Sequence, residues 1–189
     1  MGRALPGCIV KVLGDGAQEL PPGAEGEIAV LNPGYPDFTY RNRPEARAAL
    51  DRGGLVATGD IGYVDADGFL FLCGRRSDMV ISGGANIYPA DIEQVLLALP
   101  GVADCAVFGI PDEEYGEVLA AHVEPLPGAE LDESGVRAYL RERLPGFKVP
   151  RVIRFEPALP REDSGKIFKK RIRDPYWADA RQRVARTGQ

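Results

Sequence analysis

The 189-residue sequence predicts an α+β protein with two regions: a small antiparallel β-barrel-like subdomain, then a compact α+β domain with a three-stranded sheet and flanking helices. Three observations carry this. Short β-branched and aromatic runs, punctuated by Gly and Pro, fill residues 1–76. A sustained apolar helical period follows, with Ile92, Val95, Leu96 and Leu99 at offsets 0, 3, 4 and 7. Beyond Asp78 the segments alternate β-α-β-β-α-β.

In chain order, Cys8–Leu13 is a β-branched run closed by Gly14-Asp15-Gly16. Ile28–Leu31 is a second strand, ended by Asn32-Pro33-Gly34. Pro44–Leu50 fits a short helix with proline at its first turn. Tyr63-Val64 and Phe69–Leu72 flank Asp65-Ala66-Asp67-Gly68 as a hairpin. Met79–Ile81 is a short strand running into Ser82-Gly83-Gly84, and Pro89 opens a helix that Pro100-Gly101 stops. Val102–Ile110, Glu117–Val123 and Val152–Phe155 read as strands. Asp132 is a good N-cap, with Leu131 and Val136 placed for a hydrophobic staple. Helix is expected from Lys166 onward. Trp177 is expected to pack back on the body.

Composition excludes whole classes. With 44% hydrophobic and 27% charged residues, the balance is that of a globular protein rather than a disordered chain, a collagen or a disulfide scaffold. No apolar run reaches the ~20 residues of a membrane-spanning helix, and the N-terminus lacks a signal-peptide core. Cys8, Cys73 and Cys105 are few, odd in number and wrongly spaced for zinc, and are read as buried thiols of a reducing cytoplasm. The sole histidine, His122, lies in an apolar strand and is read as structural. Residues 166–189 carry a net charge of +6 and residues 1–165 one of −11, an asymmetry that argues against a nucleic-acid binder.

Three constellations carry chemistry. The first is Thr58-Gly59-Asp60 with Gly74-Arg75. A carboxylate can accept both hydroxyls of a ribose, and a nearby guanidinium can share the ribose or reach a phosphate. Read alone, they are more readily a turn aspartate and a surface arginine. The second is Ser82-Gly83-Gly84-Ala85-Asn86-Ile87-Tyr88-Pro89, where paired glycines let a backbone approach a ligand, or merely turn a strand into a helix. The third is Pro160-Arg161-Glu162-Asp163-Ser164-Gly165-Lys166. It is no P-loop, because Pro160 and Ile167 stand where Gly and Ser or Thr are needed. What remains is a lysine on a turn, able to stabilise charge developing on a phosphate or carboxylate, or simply solvated.

In this order and spacing the three constellations resemble the adenylate-forming enzymes: acyl-CoA synthetases, peptide-synthetase adenylation domains and luciferases. The run from Thr58 through Glu93 carries the likeness, and Pro160–Lys166 resembles the family's terminal lysine motif. Asn86–Glu93 is closer to the acyl-CoA synthetase branch than to the carrier-protein branch. The resemblance implies two steps, acyl-AMP formation from a carboxylic acid and ATP with Mg²⁺, then attack by the thiol of CoA. It implies Asp60 and Arg75 at the ribose, Lys166 as the catalytic lysine of adenylation, and Gly83 and Gly84 on the pantetheine side. It implies a hinge at Ser77 and Asp78, where Ser77 departs from the family's usual Asp or Lys.

The same resemblance sets the organisation: residues 1–76 as the β-rich end of the large AMP-binding domain, 77–78 as hinge, 79–174 as the α+β lid domain and 175–189 as a tail. Gly2–Gly7 resembles an internal family segment, and the nucleotide-gripping loop, the Mg²⁺ ligand and the acyl pocket are absent. The expectation is therefore a C-terminal piece of an acyl-CoA synthetase, not competent for adenylation alone, whose partner is its N-terminal domain. Self-association through the face left by missing barrel strands is a further expectation. The acid is expected to be fatty or aromatic. Two rivals stay open: a freestanding module that binds nucleotide, CoA or a partner chain, and a fragment of an adenylation domain that loads a carrier protein. The basic run Lys166, Lys169, Lys170, Arg171 and Arg173 is read as a solvated helix face, with contact to CoA phosphates as the sharper alternative.

Overall fold

The Gly- and Pro-punctuated first half folds as one open antiparallel sheet. Its strands are β1 (Ile9–Leu13), β2 (Gly26–Leu31), β3 (Asp51–Arg52), β4 (Leu55–Val64) and β5 (Leu70–Arg75), with the short helix α1 (Pro44–Ala48) before β3. The order is β1-β2-β4-β3, and β5 also pairs with β4. Val12, Leu13, Ile28, Ala29, Ala57 and Ile61 are its buried apolar residues. The expected hairpin is present: the Asp65 carboxylate accepts the amides of Asp67 and Phe69 at 3.0 and 2.8 Å. In the computed structural model, backbone is described for residues 2–187 and side chains for residues 2–180. The chain divides into two units, Met1–Ser77 and Asp78–Gln189.

The second unit is built on β8 (Val102–Asp112) and β9 (Gly116–Pro125), paired antiparallel from Val102↔Pro125 to Asp112↔Gly116. β10 (Val152–Phe155) adds parallel to β9. These are the three strands expected from the sequence. A hairpin of β6 (Val80–Ser82) and β7 (Ala85–Ile87) joins β9 through Ser82↔Gly116 and brings the sheet to five strands.

Both faces of this sheet are covered, which explains the unbroken apolar runs of β8 and β9. On one face α2 (Pro89–Leu97) and α3 (Glu133–Arg141) bring Ile92, Leu96, Val136 and Leu140 onto Cys105, Val107, Leu119, Ala121 and Val123. Each of these Ile, Leu and Val side chains contributes about 1.5–3 kcal/mol by leaving water. Asp132 caps α3 as expected, accepting the Gly135 amide at 2.7 Å. On the other face Ile172 and Tyr176 of α4 (Lys169–Thr187) meet Phe108, Ile110, Val118 and Ala120.

One expectation for the C-terminus is corrected. The helix starts at Lys169, not Lys166, because residues 161–167 close on themselves through the bridge Arg161↔Ile167. It then runs on across Pro175. Trp177 does pack back, its indole donating to the Gly109 carbonyl at 3.2 Å. The last expected tail residues, 188 and 189, lie outside the described residues. No helix of the described residues is long and apolar enough to cross a membrane.

Candidate functional site

Asp60 and Arg75, fifteen positions apart, are direct partners across β4 and β5. Arg75 Nε lies 3.6 Å from Asp60 Oδ1, and the side chains are 69% and 34% exposed. Thr58 organises the approach: its hydroxyl donates to the Ile28 carbonyl and accepts the Asp60 amide, each at 3.1 Å. The Asp60 carboxylate thus keeps accepting capacity beside a cation that keeps donors, an arrangement suited to a diol or a phosphate.

A 3₁₀ turn over Arg76–Asp78 follows, and the division between the units falls between Ser77 and Asp78. Arg76 is drawn to the buried Glu27, 3.4 Å away, which Arg52 holds at 2.7 Å.

Gly83 and Gly84 are the two-residue turn of the β6–β7 hairpin, with φ of +56° and +84°. Two consecutive positive φ values suit the twist of such hairpins and favour glycine. The Gly83 amide donates to the Tyr115 carbonyl at 3.0 Å. Beside it opens a cleft of about 450 Å³, lined among others by Ser82, Gly83, Tyr115, Phe147 and Arg151. The Arg151 guanidinium lies 4.7 Å from the Tyr115 ring centre and pairs with Asp112 at 2.9 Å. The Tyr115 amide, with Arg151 a smaller cause, holds the Asp112 carboxyl below the usual range. Aromatic rings beside a guanidinium suit a flat heterocycle bearing anionic groups. The sequence reading missed Tyr115, Phe147 and Arg151, because only folding brings these three loops together.

Lys166 is exposed and stands just after a closed turn. The Glu162 amide donates to the Lys166 carbonyl at 2.8 Å, and the Gly165 amide to the Glu162 carbonyl at 2.8 Å. Gly165 takes φ of +84°. Within the basic run expected to be solvated, Lys169 instead pairs with Glu93 at 2.7 Å, and the same Glu93 oxygen accepts the Val107 amide at 2.7 Å. All three cysteines are free, and of the three expected to be buried only Cys105 is, Cys8 and Cys73 being half-buried. Burial, then Glu93 and Asp104, push the Cys105 thiol up to about 12, so it is no nucleophile. Among the described residues no three His, Cys, Asp or Glu side chains converge as a metal site.

Asp60 and Arg75 belong to the first unit; Gly83, Gly84 and Lys166 belong to the second. Residues 91–166 match the family model described as AMP-binding enzyme C-terminal domain. A feruloyl-CoA synthase from an Amycolatopsis species is 44% identical over 164 residues, 87% of this chain and 33% of that protein. The fatty acid–[acyl-carrier-protein] ligase ScoC of Streptomyces coeruleorubidus is 39% identical over 183 residues, 97% of this chain and 35% of its own length. ATP-bound MatB from Rhodopseudomonas palustris superposes with a TM-score of 0.86 at 38% identity, over 93% of this chain and 35% of that one. The chain therefore spans about a third of the length of the relatives it matches.

Proposed function

This chain belongs to the adenylate-forming enzymes and corresponds to their C-terminal portion, and from that membership we propose that it serves an acid–CoA ligase. In the first step a carboxylate oxygen attacks the α-phosphorus of ATP and pyrophosphate leaves. In the second the thiol of CoA attacks the acyl carbon, its proton is lost and AMP leaves.

On this reading Asp60 accepts the ribose hydroxyls and Arg75 donates to the same sugar. The Lys166 ammonium offsets negative charge as the carboxylate approaches the phosphate. Ser77 and Asp78 form the hinge, between the β-rich subdomain of residues 1–76 and the lid of residues 79–174. Gly83 and Gly84 line the pantetheine path, and the Tyr115–Phe147–Arg151 cleft receives the nucleotide end of CoA. The described residues offer no Mg²⁺ ligand set. The chain on its own is not competent for adenylation. The reaction belongs to the cytoplasm, and the acid is fatty or aromatic.

The observation that carries the reading is Lys166 itself: an exposed cation, with no side-chain partner among the described residues, on a turn otherwise bound from several sides. The test is Lys166→Ala in the complete ligase. Acyl-AMP formation should fall about a hundredfold or more, while CoA attack on supplied acyl-AMP stays unchanged. Equal losses in both steps would refute the assignment.

The likeness to ScoC supports a second reading, transfer of the acyl group to a carrier protein. Thioester formed on CoA but not on a carrier protein decides against it.

A further inference from the structure

Asp104 and Glu124 are direct register partners on β8 and β9. Two carboxylates opposite each other on neighbouring strands repel. Arg161 stands over them, with Nη2 2.7 Å from Asp104 Oδ2 and 3.7 Å from Glu124 Oε2. Its other terminal nitrogen, Nη1, donates to the Gly165 carbonyl at 3.2 Å. Glu124 Oε2 in turn accepts the Leu159 amide at 2.8 Å, and the Phe168 amide closes on the Pro160 carbonyl at 2.7 Å. The stem of the turn is thereby fastened to two strands of the sheet, and the residue after Gly165 is Lys166.

We propose that Arg161 is a positioning residue for Lys166: its guanidinium, bridging the Asp104–Glu124 pair and the Gly165 carbonyl, fixes the backbone from which the lysine projects. The proposal rests on the reading of Lys166 given above. The Lys166 side chain has no partner of its own among the described residues, so the placement of its backbone bounds the region its ammonium can reach. A planar fork of five donors can reach two carboxylates and a carbonyl at once. An ammonium on a lysine stem cannot span them. Asp104 and Glu124 hold Arg161 from outside the motif, 57 and 37 positions upstream.

The test compares Arg161→Ala, Arg161→Lys and Lys166→Ala in the complete ligase, with the two half-reactions measured separately. Arg161→Ala should lower kcat for acyl-AMP formation about ten- to a hundredfold, the scale of a misplaced catalytic group. The KM for ATP and the attack of CoA on supplied acyl-AMP should not move. Arg161→Lys should recover only a fraction of the loss. A merely structural role would depress both half-reactions alike, and that result, or normal adenylation in Arg161→Ala, overturns the proposal. Normal adenylation in Lys166→Ala overturns the reading of Lys166 and the positioning role with it. In the 189-residue chain, amide exchange at Gly165, Lys166 and Ile167 should quicken in Arg161→Ala; unchanged exchange counts against the bridge.

Discussion

Arg75 Nε stands 3.6 Å from Asp60 Oδ1 on adjacent strands, close enough to attract and too far to close a hydrogen bond. Each side chain therefore keeps polar capacity for a third group. In the complete ligase, Asp60→Ala should raise the KM for ATP about tenfold or more, the scale of one lost charge-assisted hydrogen bond. Arg75→Ala should act in the same direction. An unchanged KM in Asp60→Ala would remove the ribose assignment.

Gly83 and Gly84 make a second test, on the chain itself. A side chain at either φ costs about 1–2 kcal/mol. A Cβ at Gly83 would also lie 3.1 Å from Tyr115 Cδ1, whereas one at Gly84 meets open space. Urea denaturation should show Gly83→Ala as the more destabilising of the two. The reverse order would contradict the described turn.

His122 is buried, with Nε2 3.0 Å from the Tyr176 hydroxyl. Nδ1 lies 2.9 Å from Glu156 Oε1 without the alignment of a hydrogen bond. Burial lowers its pKa below the ordinary 6.5; Glu156 opposes this and Arg154 adds to it. The unfolded chain then holds more protons between the folded value and 6.5, so stability falls as pH drops through that window. The Tyr176 hydroxyl, raised by burial, stays neutral there. Asp112 and Asp132, both lowered, lose their contribution only further into acid. Glu117, raised by burial, works in the opposite sense. The urea midpoint should drop between about pH 7 and pH 5, and His122→Gln should flatten that slope. An equal slope in the variant would exclude the histidine as its source.

Glu93 ties α2 to β8 and to the start of α4. Glu93→Ala leaves the Val107 amide and the Lys169 ammonium without this acceptor and should cost about 2 kcal/mol. Glu93→Gln keeps an acceptor for the amide and should cost about half as much. Chemical denaturation of both variants checks the order.

Local pattern made much of the fold legible. Ile92, Val95, Leu96 and Leu99 declared α2, and Asp132 declared the start of α3. β7 stayed hidden because Ala85-Asn86-Ile87 is only three residues long and becomes a strand by pairing with β6. α4 runs on across Pro175, where Tyr176 and Trp177 find partners on the sheet that only the assembled fold supplies. In the candidate site, Asp60, Arg75, Gly83, Gly84 and Lys166 were readable as motif residues. Arg161 was visible, but its role was not. Its carboxylate partners are set by strand register, and register depends on the assembled sheet.

The long strand β8 has its open side occupied at two points: the Glu93 carboxylate on the Val107 amide and the Trp177 indole on the Gly109 carbonyl. Those are the groups another chain would need in order to dock as an additional strand. An incoming strand would have to displace both contacts, which come from helices on either side of the sheet. Loss of the C-terminal helix would be felt first as a tendency to clump.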